Sequence, residues 1–251
     1  MIKVQGICKS FGDKVVLNKF SSTFDQGKIN LIIGKSGSGK TMAIKCMLGL
    51  HEIDSGEIIF NGQDFTGISE YDKKELRKEI GVVFQGSALF DSMTIEENVM
   101  FPLSMMSSKM SFSQMKDRVD FCLKRVDLDG VCNLFPSELS GGMQKRVAIA
   151  RAIVLNPKYL FCDEPNSGLD PTTATVIDNL LKEITYEYNI TTVINTHDMN
   201  SVIEIGDNVI FIQDGKKIWA GSGDNFLNSN SKELNDFIFS SKLFRKLKSI
   251  K

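Results

Sequence analysis

Apolar and polar positions change period several times along this chain. Near the amino end, β-favouring runs at 2–4, 15–17 and 20–24 are separated by Gly and Asp turns, and 29–33 is a continuous apolar run ending at Gly34. Such a run, bounded by turn residues, predicts a strand buried on both faces, as in a parallel sheet. A glycine-rich turn and a helix from Lys40 to about Leu50 follow. Next come a strand at 57–60 and Asn61-Gly62, a dipeptide suited to a hairpin turn. Strand, glycine turn and helix in that order predict an α/β core.

From Ser87 to Leu155 the pattern becomes helical, clearest at 114–126, and β-branched runs are few. Strands return at 159–163, 191–195 and 209–213, separated by a helix over 171–188, and Asp214-Gly215 turns the chain into 216–220. The pattern predicts an α/β core (1–86 and 155–222) split around a helical insertion (87–154). After it comes a Ser- and Asn-containing linker and an amphipathic tail (223–251). In the tail Leu234, Phe237, Ile238, Phe244 and Leu247 recur near helical periods, and five cations fall in the last ten residues. That face suits anionic lipid, a partner protein or the chain's own domain, which periodicity does not separate.

Composition narrows the picture. With 251 residues, 42% hydrophobic, the chain has enough apolar material for one large domain or two small ones. Thirty Lys and Arg against 31 Asp and Glu leave a net charge of -1, so no global basic field points to nucleic acid as a partner. No secretory signal and no span of about 20 apolar residues is expected. The five cysteines are odd in number, form no CxxC pair and sit in apolar runs, which predicts buried, reduced thiols and a cytosolic setting.

The chemistry begins at Gly34-Lys35-Ser36-Gly37-Ser38-Gly39-Lys40-Thr41, which fits G-x-x-x-x-G-K-[ST] between an apolar strand and a helix. In that motif backbone N–H groups wrap phosphate, the Lys reaches the β- and γ-phosphates and the Thr hydroxyl binds Mg²⁺. A flexible strand-to-helix turn is the bland alternative, and the motif's context outweighs it. Tyr159–Asp163 followed by Glu164 supplies acids at a strand end: Asp163 for the metal, and Glu164 to take a proton from an attacking water. Alone, such acids would read as a solvated turn. Leu139-Ser140-Gly141-Gly142-Met143-Gln144 opens a second helix with an anion-binding turn, which a single nucleotide site does not need unless it completes the site of another copy.

LSGGMQ together with GKSGSGKT, FCDEP, Gln85 and His197 resembles the nucleotide-binding subunit of an ABC transporter, over residues 1 to about 222. The resemblance implies a RecA-like P-loop NTPase core with an N-terminal antiparallel β subdomain and an inserted α-helical subdomain. It also implies a head-to-tail dimer holding two molecules of ATP. By that likeness Ser140, Gly141 and Gly142 contact the partner's γ-phosphate, Gln85 touches Mg²⁺ and the attacking water, and His197 contacts the γ-phosphate. Likewise Ser167-Gly168-Leu169-Asp170 links the two sites, with Asp170 near nucleotide, and Phe11 stacks on adenine. Phe11 departs from the Tyr common at its position, and Asn166 stands where many relatives carry Thr.

Residues 86–103 and 134–153 look most like the ATPases of MCE-type, Mla-like lipid transporters. That implies membrane permease subunits and a periplasmic MCE-domain lipid-binding protein as partners, at the cytoplasmic face of the inner membrane. ATPases of polar amino acid importers are similar here. A soluble ABC-type assembly-factor ATPase without transported cargo is the reading from another functional class, and a P-loop kinase or GTPase has no use for LSGG.

Overall fold

The computed structural model describes residues 1–106, 110–240 and 244. In chain order the elements are β1 (Ile2–Phe11), β2 (Lys14–Phe24), β3 (Ile29–Ile33), α1 (Lys40–Met47), β4 (Ser55–Phe60), β5 (Gln63–Asp64), α2 (Glu70–Arg77) and β6 (Ile80–Val83). Then follow α3 (Ile95–Met106), α4 (Phe112–Arg125), a 3-10 turn at Pro136–Glu138, α5 (Gly141–Ile153), β7 (Tyr159–Asp163) and α6 (Pro171–Glu187). The chain continues as β8 (Thr191–Asn195), α7 (Met199–Ile205), β9 (Asn208–Gln213), β10 (Lys216–Gly221), α8 (Gly223–Phe226) and α9 (Lys232–Ile238). Two compact units result, residues 1–68 with those from 193 onward, and residues 69–192.

In the first unit, β1 lies between β2 and β4 in an antiparallel sheet, with Ile2 opposite both Phe24 and Phe60. Alternation then puts Ile2, Val4, Phe24, Ile58 and Phe60 on one fully buried face. β3 runs parallel to β9, Leu31 opposite Val209 and Ile33 opposite Phe211, and β10 returns antiparallel along β9. All five residues of β3 are buried, as its unbroken apolar run predicts.

The second unit carries the helical stretch. β6 pairs parallel with β7, Ile80 opposite Tyr159 and Val83 opposite Cys162. An added Cβ on Gly81 would lie 2.3 Å from the Ala152 carbonyl oxygen, so this glycine lets the backbone of α5 rest on β6. α4 starts with a capping box in which the Ser111 hydroxyl accepts from Gln114 N–H and Gln114 Oε1 accepts from Ser111 N–H. Asn98, fully buried on α3, donates to the carbonyls of Phe90, Met93 and Thr94 and accepts from Phe90 N–H, pinning the segment that follows β6. Such bonds inside a low-dielectric core are costly to leave unmade.

Two expectations are corrected. The segment read as a linker after Gly221 contains α8, and two of its serines are helix caps: Ser222 accepts from Asn225 N–H and Ser231 from Leu234 N–H. Within α9, Leu234 and Ile238 are buried in the chain's own first unit and Phe237 stacks on Phe211, centroids 5.1 Å apart. Lys242, Arg245, Lys246, Leu247, Lys248 and Lys251 lie outside the described residues.

The cysteines are not uniformly buried: Cys46, Cys122 and Cys162 are, whereas Cys8 and Cys132 are partly exposed. Cys8 sits where β1 loses its regular register, and its sulfur accepts from Lys19 N–H at 3.3 Å. The Ser55 hydroxyl bond and that N–H hold its thiol below the ordinary value. Burial pushes Cys132 up, with Asp120 adding to it, and raises Cys46 and Cys122 to about 11. Because the thiolate is the nucleophile, a maleimide titration of the native protein at pH 7.5 is expected to label Cys8 first and Cys132 more slowly. Cys46, Cys122 and Cys162 should label only after unfolding; equal native labelling of all five would contradict this burial pattern.

Candidate functional site

In the first unit, the chain leaves β3 through a loop that has no room for side chains at two points. An added Cβ on Gly34 (φ +153°) would lie 2.2 Å from the Ile212 carbonyl oxygen, and on Gly39 (φ +106°) 2.8 Å from that of Val16. Gly37 adds a third left-handed turn at φ +77°. Gly39 precedes α1 and no side chain caps that helix, so its first N–H groups open onto the loop. The buried Lys40 ammonium donates to the carbonyls of Gly34 at 2.9 Å and Lys35 at 3.2 Å, which draws the loop around it.

Ser38 Oγ is buried in the same loop with no hydrogen-bond partner among the described residues. An orphaned hydroxyl, uncapped N–H groups and a central ammonium are what a polyphosphate requires. Asn195, at the end of β8, donates from Nδ2 to Thr41 Oγ1 at 3.1 Å and so orients the hydroxyl expected to meet the metal. Two residues on, the exposed His197 is carried between Thr196, whose N–H binds the Ile32 carbonyl, and Asp198, which caps α7. Phe11 ends β1 and is 46% exposed; His51 meets its ring edge to face at 5.6 Å, and the Lys9 ammonium lies 5.3 Å from its centroid. Its exposed aromatic surface is available for stacking.

In the second unit, register does the assembling. Val83 faces Cys162, so two residues further Gln85 arrives beside Glu164, and Gln85 Nε2 donates to Glu164 Oε2 at 3.1 Å and to Ser167 Oγ at 3.4 Å. Asp163 is the last residue of β7 and half-buried. Glu164 holds φ +48°, a left-handed conformation that costs a side-chain-bearing residue about 1–2 kcal/mol, and strain of this kind concentrates at functional positions.

Ser140 is the N-cap of α5, its hydroxyl accepting from Met143 N–H, and it is exposed together with Gly141. A Cβ on Gly142 would lie 2.6 Å from Thr173 Cγ2, so the second glycine of the turn is also a packing requirement against α6. Asp170 is the N-cap of α6, accepting from the N–H groups of Thr172 and Thr173 and from the Thr173 hydroxyl at 2.5 Å. Those bonds, the Thr173 hydroxyl first, hold its carboxyl below the ordinary aspartate value.

The structure therefore gathers Gly34 to Thr41, Phe11 and His197 in one unit and Gln85, Asp163, Glu164, Ser140 to Gly142 and Asp170 in the other. Sequence reasoning passed over Asn195, Lys145 and Arg151. Asn195 had a signal, a polar residue ending an apolar strand two places before His197. Lys145 and Arg151 read only as cations on a helix.

Residues 17–167, more than half of the chain, match the family model described as ABC transporter. The chain belongs to the ABC transporter family. Its fold is that of the family's ATPase cassettes, at 32% identity and a TM-score of 0.81 to the dimeric structure of the bacterial cassette MJ0796, over 88% of this chain and 98% of that one. A post-hydrolysis dimer of MJ0796 bound to ADP and Pi matches with a TM-score of 0.80, at 31% identity over the same shares. The cbiO1 protein of Clostridium perfringens, part of the complex cbiONQ, matches at 0.84, with 29% identity and 98% of both chains.

Among curated relatives, the Fe(3+) ions import ATP-binding protein FbpC of Photobacterium profundum is 35% identical over 92% of this chain, which spans 64% of FbpC. The methionine import ATP-binding protein MetN of Clostridium tetani is 37% identical over 88%, spanning 68% of MetN. The intermembrane phospholipid transport system ATP-binding protein MlaF of Haemophilus influenzae is 36% identical over 95%, spanning 90% of MlaF. The three similarities are of one size, so ATP-binding is common ground and cargo is not.

In this ABC ATPase a methyl group at Gly34 collides with a backbone carbonyl that cannot rotate away. Gly34→Ala is expected to weaken binding of a fluorescent ATP analogue at least about tenfold and to lower the thermal midpoint. Unchanged affinity would show that the loop does not hold the nucleotide in this shape.

Proposed function

We propose that this chain is the ATP-hydrolysing subunit of a transporter that moves phospholipid between the inner and outer membranes. In this reading it acts as a head-to-tail dimer on the cytoplasmic face, bound to permease subunits and, across the membrane, an MCE-domain lipid-binding protein. The observation that carries the hydrolytic part is the Gln85–Glu164 hydrogen bond, which brings a water-orienting amide to a carboxylate. The lipid part is supported by the alignment with MlaF over 95% of this chain. Among the described residues no helix is long and apolar enough to cross a membrane, so transport needs membrane partners. Phe90, 41% exposed and packed at 4.9 Å on Phe101 just after the Gln85 loop, offers such a partner an aromatic surface. The domain boundaries follow: residues 1–222 as the ATPase, with 87–154 as its helical part, and 223–251 as an extension.

In this mechanism the Gly34–Thr41 loop binds the phosphates, Lys40 carries charge to them, and Phe11 stacks on the adenine. Thr41, Asp163 and Gln85 are the residues that would hold Mg²⁺, and the ion would supply positive charge to offset that of the phosphate oxygens. Gln85 orients the attacking water, Glu164 accepts its proton and His197 binds the γ-phosphate. Ser140, Gly141 and Gly142 close on the nucleotide of the second copy, and the Asp170 loop links the two sites.

Lys40→Ala is expected to abolish ATP binding, whereas Glu164→Gln binds ATP, loses hydrolysis by about a hundredfold or more and accumulates as a dimer on size exclusion. Hydrolysis by Glu164→Gln near the native rate would remove Glu164 as the base. The FbpC and MetN similarities favour a second reading, an ATPase of a small-solute importer. A tagged chain purified from gently solubilised host membranes is expected to bring a polytopic permease, an MCE-domain protein and phospholipid. A solute permease would redirect the cargo, and soluble partners alone would end the transporter reading.

A further inference from the structure

In the second unit, α5 reaches back to the loop that carries Gln85 at two places. Lys145, 5% exposed and so buried, donates its ammonium to the Gln85 carbonyl oxygen. Six residues later, Arg151 spreads its guanidinium over two carbonyls further along the loop, Nη1 to Ala88 and Nη2 to Ser87, both at 2.7 Å. Those carbonyls belong to consecutive residues in the left-handed region, Ser87 at φ +61° and Ala88 at φ +49°. Two adjacent side-chain-bearing residues in that region cost about 1–2 kcal/mol each, so the turn persists only where neighbours over-determine it. A planar fork of donors is suited to that task and a lysine is not.

Three further features join α5 to the site at both ends of the loop. Its backbone rests on β6 at Gly81, the Ser140 turn begins it, and Gln85 Nε2 ends on Glu164. Burial lowers the basicity of Lys145, and the nearby Glu164 carboxylate partly offsets that.

We infer that Lys145 and Arg151 are positioning residues that fix the Gln85 loop to α5, so that engagement of the Ser140-Gly141-Gly142 turn sets the placement of Gln85 against Glu164. This rests on the ATPase reading for its consequence, though not for its geometry. The ammonium fixes the backbone of Gln85 itself, and the guanidinium prevents the turn behind it from relaxing. Loss of either anchor leaves the nucleotide loop of the first unit untouched and frees the amide that orients the attacking water.

The full-length chain tests this with two independent readouts. In hydrogen–deuterium exchange, Lys145→Met and Arg151→Met are expected to raise exchange of peptides spanning 84–93 at least about tenfold, with β7 unchanged. In steady-state hydrolysis the same variants are expected to lower kcat at least about tenfold with KM for ATP within about twofold. Lys145→Arg should recover most of both, and Arg151→Lys should fall between wild type and Arg151→Met. If exchange at 84–93 stays native in both Met variants, the anchoring is wrong. If exchange rises but kcat stays native, or if the conservative variants are no better than Met, the positioning role is wrong. An inactive wild type with the expected exchange pattern would instead count against the ATPase reading alone.

Discussion

The one-to-one parallel register of β6 and β7 is the constraint on which the second unit depends. Because Val83 faces Cys162, equal steps along both strands carry Gln85 and Glu164 to the same height at their carboxyl ends. A register slip of one residue would turn every side chain on β6 to the opposite face and separate the pair. Gly81 protects that register by admitting the α5 backbone at a distance no Cβ tolerates. The first unit obeys the same rule by other residues. Ile33 faces Phe211 in parallel pairing, and the chain escapes the strand only through Gly34, wedged beneath the Ile212 carbonyl. In both units the chemistry sits beyond the carboxyl ends of parallel strands, where loops are free to converge.

What could be seen in the sequence follows from the reach of each interaction. The phosphate loop is contiguous, and its glycines, lysine and threonine each answer a local geometric demand, so Gly34 to Thr41 were legible as a unit. The buried strands β3, β7 and β8 were legible because unbroken apolar runs have few other uses. α2 and α8 were not, since only Leu76 is buried in α2 and α8 has four residues. Their Ser caps read equally well as loop. Cys8 and Cys132 sit near apolar residues in sequence, but irregular pairing of β1 leaves Cys8 near the surface. Lys145 and Gln85 are 60 positions apart, and no period or motif records a side chain that meets a backbone carbonyl at that distance in sequence.

Asn98 shows the same limit in the opposite sense. An asparagine inside a helix is by propensity a mild liability, and in a helix that also contains Pro102 it argues against the helix altogether. Its four hydrogen bonds to the segment at 90–94 explain why it is there, and the explanation is tertiary.

The second unit accepts unfavourable terms in one place. Glu164, Ser87 and Ala88 are strained, and Lys145, buried, and Arg151, half-buried, are cations that donate to backbone carbonyls. Burial lowers the basicity of both, which is the direction expected when desolvation outweighs the attraction of nearby groups. Pairing a buried cation with a neutral carbonyl instead of a carboxylate leaves its charge uncancelled. α5 therefore brings two fixed positive charges to the same loop. A salt bridge in their place would hold the loop as firmly but would erase that field. The arrangement makes sense where the loop must be both rigid and electropositive, a combination that a site handling phosphate anions uses and a structural turn does not.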